Sequence, residues 1–327
     1  MDRPRIAAFP KGFFQQLLDR TGWSLEDWIR AAASLGVDGV ELYPGFLEGR
    51  DAPYLARLRN LAAEVGLSLP MMCASPDFID PRPGAWERAI AEERTLIDVM
   101  AELNPHGSWC SVRVLSGQRW PAVALDEGVQ CVVEAIEKLV PYAEKKRVFL
   151  VMENHYKDGL WSYPEFAQHS EAFLTIVRRV TSPWFGVNFD PSNALIAGED
   201  PLALLDQVLD LVVCMHASDR SLRPGYTLAD LGAHRGVGYP EALQHGVVGT
   251  GLNNYDEILA RLARRGFAGW ISIEDGQRGG AEGLEDIAAS ARFLRSVITR
   301  CWGGRATVGE AGRAARGPTI GGSHFDG

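Results

Sequence analysis

The chain has 327 residues, of which 46% are hydrophobic and 23% charged, and a formal net charge of -9. That composition is globular and excludes a fibrous or disordered chain, and no stretch approaches the roughly 18 apolar residues of a membrane helix. The acidic balance, without a Lys/Arg block beside aromatic residues, argues against a nucleic-acid partner.

At the amino terminus, MDRPRIAAFPKGFF lacks the long apolar segment of a signal peptide. The five cysteines (Cys73, Cys110, Cys131, Cys214 and Cys301) are odd in number and never form a CxxC pair. They fit a reducing compartment, and a cytoplasmic protein is expected. Along the chain, short apolar runs alternate with amphipathic segments, the grammar of parallel strands and return helices. Strands are predicted at residues 6–9, 39–42, 68–73, 109–115, 148–152, 185–189, 211–216 and 270–273. Between the first two, SLEDWIRAAASLG reads as a helix capped by Ser24 and ended at Gly36. Eight such units predict an α/β protein with a closed (β/α)8 TIM barrel, an architecture of about 250 residues that accepts insertions. An open doubly wound sheet would carry a GxGxxG turn after its first strand, and FPKGFF is not one.

Two regions leave the repeat. The link from residue 217 to 255 is long and glycine-punctuated, with Arg220, Tyr226, His234, Tyr239 and His245, and loops of that length are commonly functional or disordered. Residues 303–327 lack periodicity and are expected to be a flexible tail or a partner-contact arm beyond a barrel spanning 1–302.

Ligand-type residues recur at one place, the carboxyl end of an apolar run. VFLVMENH, FGVNFDPSN, VVCMHASDR and WISIEDG deliver Glu153, Asp190, His216 and Glu274. In a barrel those strand ends converge on the rim where catalytic sites lie. Three clustered carboxylates repel one another unless a cation neutralises them, so one divalent ion is expected. Oxygen-rich ligation with a single imidazole suits Mn2+ best, with Mg2+, Co2+ or Zn2+ as alternatives. Taken alone, Asp190 before Pro191 is equally a helix cap and His216 a buried hydrogen-bonded core residue; the coincidence of four such positions carries the metal reading.

These residues, with GVDGVELYP, HGVVGTGLNNYDEI and GWISIEDG, make the chain resemble the sugar phosphate isomerase/epimerase family over about residues 5–298. The family's xylose-isomerase-like barrels include ketose 3-epimerases, inosose dehydratases and endonuclease-IV-type nucleases. The resemblance implies that Glu153, Asp190, His216 and Glu274 bind the metal. Asn193 stands where ketose 3-epimerases usually place a His, and the histidine-rich array of the nuclease branch is missing. His155 in ENH and the long strand-seven loop look similar to C-glycoside deglycosidase large subunits, which work with a small partner subunit; a homo-oligomer is the other assembly considered.

Two reactions follow from such a site. One is isomerisation or epimerisation of a sugar or polyol carbonyl compound through a metal-stabilised enediolate, with Glu153 and Glu274 moving the proton. The other is a lyase of C-glycoside-cleaving or inosose-dehydrating type, with His155 as acid/base. Glu41, Tyr43 and Asn193 are expected to contact substrate hydroxyls, although Glu41 could equally be a barrel-rim ion-pair residue. Asp219 and Arg220 are expected to orient the metal ligand and to bind an anionic or hydroxylated substrate group, an exposed salt bridge being the equal alternative. His245 is included because its loop is long enough to fold over the pocket. A scaffold that has lost its chemistry would not need to keep such costly clustered acids.

Overall fold

The computed structural model describes residues 2–105, 107–233, 238–274 and 278–303. His234 and the tail beyond Gly303 lie outside the described residues. The strands are β1 (Arg5–Ala8), β2 (Gly39–Val40), β3 (Met71–Met72), β4 (Ser111–Val114), β5 (Phe149–Glu153), β6 (Phe185–Phe189), β7 (Val212–Ala217), β8 (Asp219–Leu222), β9 (Leu243–Gly246) and β10 (Trp270–Ile273). Eight of them form one parallel sheet in the order β2-β1-β10-β7-β6-β5-β4-β3. Its two edges meet: Val40 N donates to Ser68 O at 2.9 Å, Leu42 N to Met71 O at 2.9 Å, and Cys73 N to Leu42 O at 2.7 Å. The sheet is thus a nearly closed (β/α)8 barrel.

Each of the eight barrel strands is largely buried, as parallel strands must be when helices cover one face and the barrel interior the other. Ile6, Val40, Met72, Val112, Val151, Val187, Met215 and Ile271 are all within the core. Helices return between successive strands, and local chemistry sets their ends. Ser24 caps the helix Leu25–Ala32: its hydroxyl accepts from Asp27 N at 3.1 Å while the Asp27 carboxylate accepts from Ser24 N at 3.0 Å. That reciprocal pair satisfies two otherwise orphaned donors. Gly36 then turns the chain toward β2 with a φ of 79°, a left-handed conformation that glycine adopts without a Cβ penalty. The last long helix, Gly280–Gly303, is tied back to this turn by Arg295, which donates to Gly36 O at 2.7 Å and Asp38 Oδ1 at 2.8 Å.

The predicted strand positions are all occupied, with shorter hydrogen-bonded spans at the second, third and fourth. The long link after β7 is not featureless. β8 and β9 pair antiparallel, with Arg220 opposite His245, and a short helix, Leu228–Ala233, lies between them. Leu243 packs with Ile196 and Leu231 in a small apolar cluster separate from the barrel core, flanked by Tyr156, Tyr239 and Leu252.

Candidate active site

Strand register brings the four ligand-type residues to one level. Glu153 ends β5 and pairs with Asn188, two residues short of Asp190. His216 on β7 pairs with Ser272, two short of Glu274, and Glu274 N continues the ladder to Ala217 O at 2.9 Å. One donor atom from each of Glu153, Asp190, His216 and Glu274 lies within 4.8 Å of the other three, and all four side chains are buried.

Their surroundings explain how such a cluster persists. Arg113, inside β4, donates from Nη1 to Glu153 Oε2 at 2.7 Å, from Nε to Ala74 O and from Nη2 to Ser75 Oγ, both at 3.0 Å. Asn193 Nδ2 donates to the other Glu153 oxygen at 3.0 Å. Burial alone would raise the Glu153 carboxyl, but His216 and Arg113 together hold it well below the usual range. Glu274 is likewise penalised by burial yet held down, chiefly by Lys11, whose Nζ lies 3.3 Å from Oε2. Asp190 goes the other way. Burial, reinforced by the charges of Glu153 and Glu274, raises it to about 6.

Asp190 also fulfils the capping role. Its Oδ1 accepts from Ser192 N at 2.7 Å and Asn193 N at 3.2 Å, and the Ser218 hydroxyl bonds both carboxylate oxygens. Cap and cluster member are one residue, because Pro191 starts the short helix Pro191–Ile196 immediately beyond the strand.

His216 faces two ways. Nε2 lies 3.1 Å from Glu41 Oε2, and Nδ1 lies 3.3 Å from Glu153 Oε2 without a hydrogen bond. Burial lowers the basicity of the imidazole, but Glu153 and Glu41 overcome it and raise its pKa well above the ordinary value. The donor set fits a divalent cation: three carboxylates and an imidazole converge, and a buried Nδ1 is left without a hydrogen-bond partner while Nε2 is oriented by Glu41. The Cys73 thiol also donates to Glu41 Oε2, at 3.1 Å.

Beside the cluster opens a cavity of about 170 Å3, lined by Phe9, Phe14, Tyr43 and Tyr156 among its rings and by Lys11, Arg113, His155, Asn193 and Glu274 among its polar groups. His155 Nδ1 faces Glu165 Oε2 at 3.5 Å, and neither atom has a hydrogen bond among the described residues. The other Glu165 oxygen accepts from Ser116 N at 2.7 Å and from the Ser116 hydroxyl. Tyr43 lines the cavity, and burial pushes its phenol up to about 12.

Other expected contacts sit differently. Glu41 is fully buried behind His216 and does not line the cavity, because its carboxylate is engaged by the imidazole and the Cys73 thiol. Asn193 lines the cavity, but its amide is already committed to Glu153. Asp219 does not reach the cluster; its carboxylate gathers the following loop by accepting from the backbone N–H of Arg220, Gly249, Gly251 and Asn253. Arg220 and His245 lie on the hairpin, against Tyr239. The sequence reading passed over Lys11, Arg113 and Glu165. A charged residue inside the apolar run SVRV was a legible sign of Arg113, whereas Glu165, in a loop, carried none.

Residues 29–297 match the family described as xylose isomerase-like TIM barrel. An inosose dehydratase of Bacillus thuringiensis (strain Al Hakam) is 24% identical over 166 residues, covering 50% of this chain and 52% of the relative. The chain thus spans about half the length of the inosose dehydratase it matches. Among solved structures, a D-tagatose 3-epimerase-like protein superposes with a TM-score of 0.66 at 18% identity, covering 91% of this chain and 98% of that one. A xylose isomerase-like TIM barrel protein from Mycobacterium smegmatis in complex with magnesium gives a TM-score of 0.66 at 17% identity, over 91% and 97% of the two chains. Such distant structural likenesses speak for the fold alone, but the family match covers most of the chain, and with the barrel and its rim it places this protein in the xylose isomerase-like TIM barrel family.

Proposed function

We propose that the protein is a divalent-metal-dependent isomerase or epimerase acting on a sugar or polyol carbonyl compound. The observation that carries this reading is the convergence of Glu153, Asp190, His216 and Glu274 within 4.8 Å, beside a cavity of about 170 Å3. A bound Mn2+ or Mg2+ would act as a Lewis acid, making the C–H beside a substrate carbonyl more acidic. Glu153 and Glu274 would hold that ion together with Asp190 and His216. Because their strands are separated by β6 and β7, Glu153 and Glu274 approach a bound carbon from different sides, so one can accept a proton and the other return it. Phe9, Phe14, Tyr43 and Tyr156 supply ring faces for the C–H surface of a small polyol.

A second reading, a lyase with the same first step, is favoured by one pair. His155 lies in the cavity with Glu165 at 3.5 Å behind it, an imidazole–carboxylate arrangement suited to taking a proton and giving it to a leaving group. The matched inosose dehydratase supports this option, and the C-glycoside deglycosidase resemblance belongs to it as well.

The two share a decisive test. Mn2+-loaded protein incubated in deuterated water with a panel of ketoses, inososes and oxidised glycosides is expected to place deuterium on the carbon beside the carbonyl of at least one compound. Recovery of an epimer or isomer selects the first reading, and an unsaturated product selects the second. Failure of every compound to exchange, in protein that retains metal, would overturn both.

A further inference from the structure

Among the described residues, Arg113 and Lys11 are the Arg and Lys side chains that hydrogen-bond to the four-residue cluster, and they are held differently. Arg113 commits its donors to Glu153, to Ala74 O and to Ser75 Oγ, and its side chain is 4% exposed. Lys11 makes a single side-chain hydrogen bond among the described residues, to Glu274 Oε2 at 3.3 Å, and its side chain is 25% exposed. An ammonium carries three donors on a flexible stem. The others are therefore uncommitted at the wall of the cavity that Lys11 lines.

The backbone puts Lys11 there. β1 pairs with β10, Phe9 N extends that ladder to Ile273 O at 2.9 Å, and Lys11 N turns back onto Phe9 O at 2.9 Å. Lys11 thus opens the turn Lys11–Phe13 beside the end of β10, where Glu274 follows. Gly12 lets the turn pack closely, because a Cβ there would collide with the carbonyl oxygen of Arg278. Phe9 and Phe14, on either side of the turn, line the same cavity.

The Glu274 carboxylate is claimed twice. It accepts from the Lys11 ammonium, and a divalent ion held by Glu153, Asp190, His216 and Glu274 needs an oxygen of the same group. A dication and an ammonium on one carboxylate repel each other, and the ammonium, on its long stem, is the partner able to move.

We propose that Lys11 is a displaceable counter-ion of Glu274 that turns to the substrate. It neutralises Glu274 in the metal-free protein, yields the carboxylate when the ion binds, and then gives its N–H donors to a hydroxyl or carbonyl oxygen of the substrate in the cavity. Glu274 thereby faces a positive charge in both states, and the ammonium is released only once the ion is in place. This deepens, and rests on, the metal-dependent reading above.

Calorimetric titration of the full-length, metal-free protein with Mn2+ tests it. Lys11→Met is expected to bind Mn2+ about fivefold more tightly than the unaltered protein, the equivalent of a partly exposed ion pair that the ion no longer has to break. Lys11→Arg, which keeps the charge, should stay close to the unaltered protein. Removal of a merely structural lysine would loosen the site instead, so equal or weaker Mn2+ binding by Lys11→Met overturns the proposal. A second measurement needs no variant. Acetylation of Lys11 by acetic anhydride, followed by mass spectrometry with Lys157 of the same cavity as reference, should quicken on Mn2+ loading; unchanged or slower labelling also overturns it. The compound that exchanges deuterium in the panel above should then slow the labelling of the loaded protein, and labelling that ignores it overturns the substrate contact. Failure of the unaltered chain to bind Mn2+ contradicts the metal-dependent reading instead.

Discussion

The imidazole of His216 and the carboxylate of Glu41 meet at 3.1 Å, both side chains fully buried. Glu41 holds Nε2 and so presents Nδ1 to Glu153, Asp190 and Glu274. Residues that orient a metal-binding histidine commonly contribute about 10- to 100-fold to affinity. Glu41→Ala is therefore expected to weaken Mn2+ binding by about that factor, with Glu41→Gln, which keeps an acceptor, losing less. Calorimetric titration checks it; an unchanged affinity in Glu41→Ala would detach Glu41 from the metal.

His155 and Glu165 give a separable prediction. If the imidazole moves a proton, His155→Ala should lower kcat by about 100- to 10,000-fold, the usual contribution of general acid–base catalysis. Metal affinity should change little, because His155 is outside the four-residue cluster. Glu165→Gln should lower kcat less and alter its pH profile, since it leaves the imidazole in place. Full turnover in His155→Ala would assign the proton transfer to Glu153 and Glu274.

Glu93 offers a test of stability outside the four-residue cluster. It lies on the helix Ala85–Leu103, is 2% exposed, and its Oε2 has no hydrogen bond among the described residues. Burial first, then the nearby Glu92, raise its pKa well above 4.5, with Arg113 opposing. Below the unfolded value both states are protonated and Glu93 carries no charge penalty. As pH rises from the unfolded toward the folded pKa the unfolded chain ionises while the buried carboxyl stays protonated, and stability is lost until the folded pKa is passed. Glu93→Gln should therefore stabilise the protein at pH 7 by about 1–3 kcal/mol. The gain should vanish below about pH 4.5 in denaturant titrations. A constant difference across pH would mean that Glu93 finds a counter-charge in the fold.

Asp219 is predicted to hold the loop together. Removing its carboxylate in Asp219→Ala leaves backbone donors of Gly249, Gly251 and Asn253 unsatisfied, at a cost of about 2–4 kcal/mol. Cleavage by protease in the 246–253 segment should quicken. Gly251→Ala should act alike, because a Cβ there would collide with the Asp219 carboxylate and Arg220 O. Unchanged proteolysis in both variants would contradict this role.

Much of the barrel was legible because parallel strands must be apolar on both faces. VFLVMENH and FGVNFDPSN therefore stood out, and the first polar residue after each run marked the rim. The convergence of Glu153, Asp190, His216 and Glu274 was readable for the same reason. What lay hidden depends on three-dimensional pairing. Glu41 ends an apolar run as a sugar-binding residue would, and only the position of His216 shows where its carboxylate goes. β9 reads LQHG, too short and polar for strand periodicity, and it becomes a strand by pairing with β8. Glu165 gains significance only through His155, ten residues earlier in sequence.

The most direct measurement is metal retention by the purified chain and by four single variants, Glu153→Ala, Asp190→Ala, His216→Ala and Glu274→Ala. The unaltered protein should hold one Mn2+ per chain, and each variant should release it at a Mn2+ concentration that saturates the unaltered protein while keeping its fold by circular dichroism. A chain that binds no ion, or four folded variants that hold it as tightly as the unaltered protein, would contradict the account.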